Sequence, residues 1–509
     1  FNSLKCNVSG SANTALGKST LLKNTASNNT AVGHSSLACN TTGDQNVAVG
    51  ATALDANTIG CRGVAIGFNA LGANTDGNFN TAVGRSALST NTTGDNNVAI
   101  GYASLQCSTT SSNNTSMGIE SMFLNTTGAA NVAVGCGALR ANTTASDNVA
   151  VGRNAMLGNT TGASNLAAGT SAMQCNTTGA NNTALGGNST MFTNTTGAGN
   201  TAVGTSALVA NTNASQNTAV GFSAMVANTT GETNTAVGAC ALKANTTADN
   251  NVAVGRNSLD ANTTGANNTA VGTNSLTTNT TAAGNSAFGI NALEVNTTGA
   301  DNNSFGRNSL KANTTGASNT AVGTCSLIAN TTGTNNTSVG ANSGDSVTTG
   351  TENAFFGHNA GDNVTTGDNN ALFGESAGND AVRNVTTGDN NIVIGNNSSA
   401  TAHIKIAWTV TSDERDKMNF EDVPHGLDFV NQLNPIKYNF KKSREDATPN
   451  GKARYGFKAQ DILAIEGDNP IIIDNDDVEN LKFTNANLVP VLVNAIKELK
   501  SEIDELKKK

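Results

Sequence analysis

A serine and a lysine five residues apart, Ser412 and Lys417, are the side chains in this sequence best placed to do chemistry. A serine hydroxyl becomes a nucleophile when a base within hydrogen-bonding reach takes its proton, and a lysine can be that base if burial keeps its amine neutral. Such pairs are also common on protein surfaces, and a Ser-Asp-Glu segment is typical of a helix cap. The spacing alone therefore leaves both a Ser–Lys dyad and a helix cap open.

The pair opens an ordered series of short motifs that continues towards the last residue. The motifs are Ser-Asp-x-Arg-x-Lys at 412–417, L-N-P-I-K-Y-N-F at 433–440, Y-G-F-K-A-Q at 455–460, L-V-P-V-L at 488–492 and A-I-K-E-L at 495–499. This series resembles the intramolecular chaperone domain of endosialidase-type phage tail spikes. We therefore expect residues 412–509 to form a small α+β chaperone and autoprotease domain.

The resemblance implies a domain that trimerises, assembles the β-stranded shaft before it, and then cuts itself off. It places the cut between Thr411 and Ser412, with Ser412 as the nucleophile and Lys417 as the general base. Asp413 and Arg415 match the motif, but the resemblance assigns them no role. This would be a single-turnover serine peptidase, and nothing in the sequence indicates a turnover enzyme, a cofactor or a metal site. The sequence departs from the usual pattern directly after the lysine, at 418–420.

The last segment of the chain has the spacing of a coiled coil. Apolar residues follow a 4-3-4-3 pattern that is typical of a coiled-coil seam; they are Leu492, Ile496, Leu499, Ile503 and Leu506. A lone amphipathic helix against its own domain is the alternative, because the heptads are few. Upstream of the dyad, apolar residues alternate from Ile404 to Val410, so residues 396–411 are expected to form a connecting strand that ends at the cleavage site.

The part of the chain before this region differs from it in composition and in sequence pattern. All five prolines lie after residue 423, and 34 of the 65 charged residues lie in 412–509. Upstream, a short block ending in glycine recurs 23 times from Gly17 to Gly395, and 19 of the 22 intervals are 17 residues. The unit reads G-x-x-A-L-x-A-N-T-T-G-x-x-N-T-A-V. We interpret residues 1–395 as one repetitive shaft.

Each 17-residue unit predicts one coil of a parallel β-roll. It has two short apolar segments, Thr/Val-Ala-Val and Ala-Leu, which we expect to be strands closed by Gly and Asn corners. Stacked coils place equivalent asparagines above one another as amide ladders. The 18-residue interval from Gly186 to Gly204 should take up its extra residue at a corner. The 21-residue interval should loop out around 377–385, with the strands in phase on both sides.

The repeats resemble the heads of trimeric autotransporter adhesins and the shafts of phage tail fibres. That resemblance implies left-handed parallel β-rolls packed as trimers. The fold class is therefore an all-β parallel β-roll solenoid of 17-residue coils, trimeric, followed by an α+β chaperone domain that ends in a coiled-coil helix.

The expected function is a structural and adhesive homotrimeric fibre of a phage or virus, located on a virion or an extracellular surface. Its partner would be a glycan or protein receptor on a host surface. The net charge of −9 is spread without a basic stripe, which argues against nucleic acid, and no apolar run is long enough for membrane insertion. Three alternatives stay open: a cell-surface adhesin, a glycan-degrading tail spike whose catalytic part lies upstream, and an ice-binding solenoid.

Overall fold

The structure is a computed structural model that describes residues 2–380, 383–396, 398–399, 412–441, 444–468, 470–475, 478–479 and 481–509. Most of the predicted connecting strand, including Ile404 to Val410 and Thr411, lies outside the described residues. The chain divides into two compact units, Phe1–Asn353 and Ala354–Lys509.

The first unit is a parallel β-solenoid in which each coil adds one short strand beside the last. Its strands are β1 (Thr14–Leu16), β2 (Thr30–Val32), β3 (Val47–Val49), β4 (Val64–Ile66), β5 (Thr81–Val83), β6 (Val98–Ile100), β7 (Thr115–Met117), β8 (Val132–Val134), β9 (Val149–Val151), β10 (Leu166–Thr170), β11 (Thr183–Asn188), β12 (Thr201–Val203), β13 (Thr218–Val220), β14 (Thr235–Val237), β15 (Val252–Val254), β16 (Thr269–Val271), β17 (Ser286–Phe288), β18 (Asn303–Phe305), β19 (Thr320–Val322) and β20 (Thr337–Val339).

Adjacent coils pair equivalent residues. In β13 and β14, Ala219 lies opposite Ala236 and Val220 lies opposite Val237 in a parallel register. The central alanine of the strand is fully buried inside the roll, whereas its two neighbours point outward and are partly exposed. A small side chain suits this position because the strand and the opposite wall of the coil approach closely. The parallel solenoid with 17-residue spacing is thus confirmed.

The Ala-Leu segment does not form the second strand that the sequence predicts. The second and fourth residues after the repeat glycine adopt left-handed conformations, as at Ser86 (φ 57°) and Leu88 (φ 53°). Alternating left-handed residues curl the chain and prevent an extended strand. This conformation costs a leucine roughly 1–2 kcal/mol of free energy. Full burial of the side chain stabilises the fold by about 1.5–3 kcal/mol and offsets that cost. Leu88 is indeed completely buried.

Two buried asparagine ladders pair polar side chains of adjacent coils inside the roll. Asn245 Nδ2 donates to Asn228 Oδ1 of the previous coil at 2.8 Å and to the carbonyl of Ala248 in its own coil at 3.0 Å. In the second ladder, the backbone nitrogen of Asn251 donates to Asn234 Oδ1 at 2.9 Å. Buried amides left unpaired would each be costly, so the ladders fix one coil directly over the next.

The strands stay in phase across the two longer intervals. Thr183 to Leu185 of β11 pair with Thr201 to Val203 of β12. The extra residue of the 18-residue interval was expected at a corner, but it is taken up by a register shift between Leu185 and Asn188 within a lengthened β11. In the second unit, the 21-residue interval forms a small hairpin of β23 (Asn379–Asp380) and β24 (Arg383–Asn384).

The second unit begins with three strands of the repeat type and ends in an α+β region. The repeat strands are β21 (Ala354–Phe356), β22 (Ala371–Phe373) and β25 (Ile392–Ile394), and β22 pairs in parallel with both others. The later elements are a 3-10 helix (Glu414–Asp416), α1 (Leu427–Gln432), β26 (Ile436–Lys441), β27 (Pro449–Gly456), α2 (Ala459–Glu466), β28 (Ile473–Asp474), β29 (Lys482–Phe483) and α3 (Asn485–Lys508). The strands β26 and β27 are antiparallel, as are β28 and β29.

A small apolar core holds this α+β region together. Helices α1, α2 and α3 and the strand β28 converge on it, and its buried members are Phe429, Ile462, Ile472, Ile473, Leu488 and Val491. The expected small α+β region with a terminal helix is therefore present.

The repeat glycine should be intolerant of any side chain. Gly238 has φ 141°, and a Cβ there would lie 2.5 Å from the carbonyl oxygen of Gly255 in the next coil. We expect Gly238→Ala to destabilise the surrounding coils by roughly 2 kcal/mol or more. Amide hydrogen exchange in residues 221–272 should accelerate accordingly. The control is Gly137→Ser, because other coils carry serine at that position with φ near 57°. Equal protection in both variants would contradict this stacking.

Candidate functional site

The structure brings Ser412 and Lys417 together. Lys417 Nζ lies 2.6 Å from Ser412 Oγ, within hydrogen-bonding distance. The 3-10 helix Glu414–Asp416 between them makes this possible, because about three residues per turn return the chain beside its starting point. The backbone nitrogen of Lys417 closes the turn by donating to the carbonyl of Glu414 at 3.1 Å.

Asp413 and Arg415, the motif residues without an assigned role, brace this turn. Asp413 is the N-cap of the 3-10 helix, and its Oδ1 accepts the backbone N–H of Arg415 at 2.9 Å. The guanidinium of Arg415 also binds both carboxylate oxygens, with Nε at 3.0 Å and Nη2 at 2.6 Å. Such a two-point pair has a defined geometry. The pair therefore stabilises the turn that brings the lysine back to the serine.

The same contacts shift the ionisation of the pair. Hydrogen bonds from the side chain and then the backbone of Arg415 hold the pKa of Asp413 below its usual value. The pKa of Arg415 is raised in return by its bond to Asp413. Both groups are thus charged at neutral pH, as the brace requires.

The dyad itself lies on the surface of the described chain. Ser412 and Lys417 are both exposed. Their geometry permits proton transfer from the hydroxyl to the amine, but a general base must first be neutral, and burial is the usual way to make a lysine neutral. In a single chain the two groups are therefore close enough for proton transfer. They are not shielded from water, as a neutral lysine base requires.

Helix α3 fastens the segment that follows the dyad. Asn494 Nδ2 donates to the carbonyls of Val423 at 3.1 Å and His425 at 3.3 Å. One turn later, Glu498 accepts the backbone N–H of Leu427 at 2.6 Å, at the start of α1. A Cβ on Gly426 would overlap that carboxylate, so the glycine allows the close approach. The sequence offered no signal for these contacts beyond two polar residues four apart on a helix.

The predicted coiled-coil residues of α3 are exposed. The helix is buried at Leu488, Val491 and Ala495. The predicted seam runs beside this buried stripe and is between 38% exposed at Leu492 and 69% exposed at Leu506. The alternative, a lone amphipathic helix packed against its own domain, would bury these apolar side chains instead.

The described residues were compared with the requirements of a metal site and of a membrane-spanning helix. Within the described residues, His, Cys, Asp and Glu form no group of three or more that could hold a metal ion. None of the described helices is both long and apolar enough to cross a membrane.

Comparison with known families identifies the C-terminal region. Residues 412–469 match the family described as chaperone of endosialidase, and the match begins at Ser412. No curated protein matches the chain. The chain thus carries a chaperone-of-endosialidase domain behind a parallel β-solenoid, an arrangement that fits a phage tail-fibre or spike-like protein.

The Asp413–Arg415 pair predicts a pH dependence with a definite sign. A carboxyl group whose folded pKa is lowered stabilises the turn above its unfolded pKa of about 3.9. That contribution is lost as the pH falls through the lowered value. In an NMR titration of the full chain with labelled aspartate carboxyls, Arg415→Gln should move the Asp413 midpoint upward. Arg454→Gln, at another exposed arginine of the region, should not. An unchanged Asp413 midpoint in Arg415→Gln would contradict the claim that the Asp413–Arg415 pair stabilises the turn.

Proposed function

We propose that the chain is one subunit of a homotrimeric fibre of a phage or virus that attaches to a host surface. In this proposal residues 1–395 are the shaft, residues 396–411 are the connector, and residues 412–509 are a chaperone that cuts itself off between Thr411 and Ser412. The observation that carries the proposal is the 2.6 Å contact between Ser412 Oγ and Lys417 Nζ, located at the first residue of the chaperone match.

An uncovered apolar stripe on the solenoid supports association with further copies. In the described first unit, the outward positions of β1 to β20 contain no charged residue. Large side chains recur there, such as Val237 at 37% and Phe305 at 40% exposed, and Phe288 stacks on Phe305 with ring centroids 5.0 Å apart. A contiguous apolar surface of this extent is typical of an interface.

Helix α3 supports association through a second surface. Isoleucine occupies one set of seam positions (Ile496, Ile503), and leucine occupies the other (Leu492, Leu499, Leu506). In isolated parallel coiled coils this distribution favours two strands. The proposal of three chains therefore depends on the chaperone match and on the resemblance of the repeats. The helix supports association along a common axis but does not indicate the number of chains.

The proposed chemistry is an intramolecular acyl shift followed by hydrolysis. Neutral Lys417 takes the proton of Ser412 Oγ as that oxygen attacks the carbonyl carbon of Thr411. The peptide C–N bond breaks, the amine of Ser412 receives the proton, and an ester links Thr411 to the serine oxygen. Water then cleaves the ester, which leaves a carboxylate on Thr411 and restores the serine hydroxyl.

Assembly provides the missing burial. Because Ser412 and Lys417 are exposed in one chain, neighbouring chains must cover them before the lysine loses its proton. Cleavage should therefore follow association. Removal of the chaperone then makes unfolding hard to reverse, since the domain that set the register is no longer attached.

The full chain should yield a shaft ending at Thr411 and a 98-residue fragment beginning at Ser412. Ser412→Ala should abolish the cut while light scattering still gives the mass of a trimer. Lys417→Arg should also abolish it, because arginine keeps the charge but cannot become neutral. Lys437→Arg, at an exposed lysine of the same region, should cleave normally. Intact mass spectrometry decides the outcome, and normal cleavage in Ser412→Ala or Lys417→Arg would contradict the dyad.

A further inference from the structure

One face of the solenoid carries an arginine held between two aromatic rings. The residue directly after each repeat glycine forms an outward column, and three successive coils place Phe68, Arg85 and Tyr102 in it. The guanidinium carbon of Arg85 lies 5.8 Å from the ring centroid of Phe68 and 6.0 Å from that of Tyr102. Both are cation–π contacts.

All three side chains are available to solvent. Phe68 is 53% and Tyr102 is 49% exposed, and Arg85 is exposed between them. Across the described chain, no carboxylate pairs with Arg85. Because Arg85 is exposed, a ligand in solution can reach its guanidinium. Ile119, 55% exposed, continues the apolar surface in the next coil.

The same column contains natural comparisons elsewhere in the first unit. Arg153, Arg256 and Arg307 also follow a repeat glycine and are also exposed. Their neighbours in the column are not aromatic: they are Cys136 and Thr170, Ala239 and Thr273, and Ile290 and Thr324. The sandwich is therefore a local feature of the coils around Arg85. Among the described residues these arginines have no carboxylate partner, which indicates that this column stays in water when the neighbouring apolar stripe is covered.

We propose that Phe68, Arg85 and Tyr102 form a binding site for a carboxylated sugar residue of a surface glycan. The planar guanidinium donates two parallel hydrogen bonds to the carboxylate, and the rings fix its orientation, so little side-chain freedom is lost on binding. The rings are two coils, roughly 10 Å, apart. A sugar whose carboxylate meets Arg85 therefore lies within reach of the solvent-exposed part of one of them. This site deepens the proposed function, because it names the receptor chemistry of the fibre.

A neutral sugar would not need this arrangement. Stacking on exposed rings alone would recognise it, and a guanidinium between the rings would then only compete for their faces. The lack of a carboxylate partner for Arg85 within the described chain favours a ligand that brings its own negative charge.

Binding of oligosaccharides to the full chain tests the site. Oligogalacturonate, oligomannuronate and hyaluronan oligosaccharides are the carboxylated probes, and malto-oligosaccharides of equal length are the neutral ones. At least one carboxylated probe should bind in calorimetry, and the neutral probes should not. Arg85→Gln should weaken binding at least tenfold, and Phe68→Ala and Tyr102→Ala should each weaken it several-fold. Arg153→Gln, in the same column without aromatic neighbours, should bind as the wild type does.

Several results would overturn the site. They are no binding of any carboxylated probe, equal losses in Arg85→Gln and Arg153→Gln, and tighter binding of a phosphorylated oligosaccharide of the same length. Trimer mass and cleavage measured on the same Arg85→Gln preparation separate the two proposals. A variant that assembles and is cut but no longer binds sugar isolates the site. If the wild type assembles and is cut but binds no probe, the proposed sugar site is wrong and the proposed fibre function is unaffected.

Discussion

In the described coils of the shaft, equivalent residues lie directly over one another from one repeat to the next, and the rest of the structure depends on that constraint. Asn245 bonds to Asn228, Val237 lies opposite Val220, and the carbonyl of Gly255 fills the space where Gly238 would have a side chain. The pattern forces small residues inside and glycine at one corner. In the proposed fibre it has a second consequence: because the coils are nearly identical, chains shifted by a whole repeat would make nearly the same contacts. Such a shaft could not define its own alignment between chains.

The C-terminal region has the parts that such a shaft lacks. Helix α3 carries a non-repeating sequence, with core contacts along one stripe and the exposed apolar seam beside it, so in the proposed fibre it would align chains in a single register. Through Asn494 and Glu498 it also holds the segment between the dyad and α1. In that proposal, association along α3 and the position of Ser412 and Lys417 are linked through one helix. Neighbouring chains would then exclude water from the exposed dyad.

Local patterns in the sequence predicted much of this structure, and long-range contacts account for most of what they missed. The repeat period and the in-phase strands around the two longer intervals depend on residues close in the chain or one repeat apart. The expected second strand was wrong because buried Leu88 and its equivalents adopt a left-handed conformation that leucine disfavours by itself. Glu498 and Leu427 are 71 residues apart, and no periodicity in the sequence predicts their hydrogen bond. The aromatic sandwich of Arg85 becomes visible only when successive coils are stacked.

The most direct test of the account is cleavage in a chain whose seam is broken. Ile503 is 39% exposed and lies outside the core, so Ile503→Asp should spare the domain and disrupt association. Ser501→Asp places the same charge on the opposite side of α3 as a control. Light scattering and intact mass measured on both should show Ser501→Asp as a cleaved trimer, and Ile503→Asp as smaller, uncleaved species. An Ile503→Asp monomer cut between Thr411 and Ser412 at the wild-type rate would contradict the claim that assembly activates the dyad.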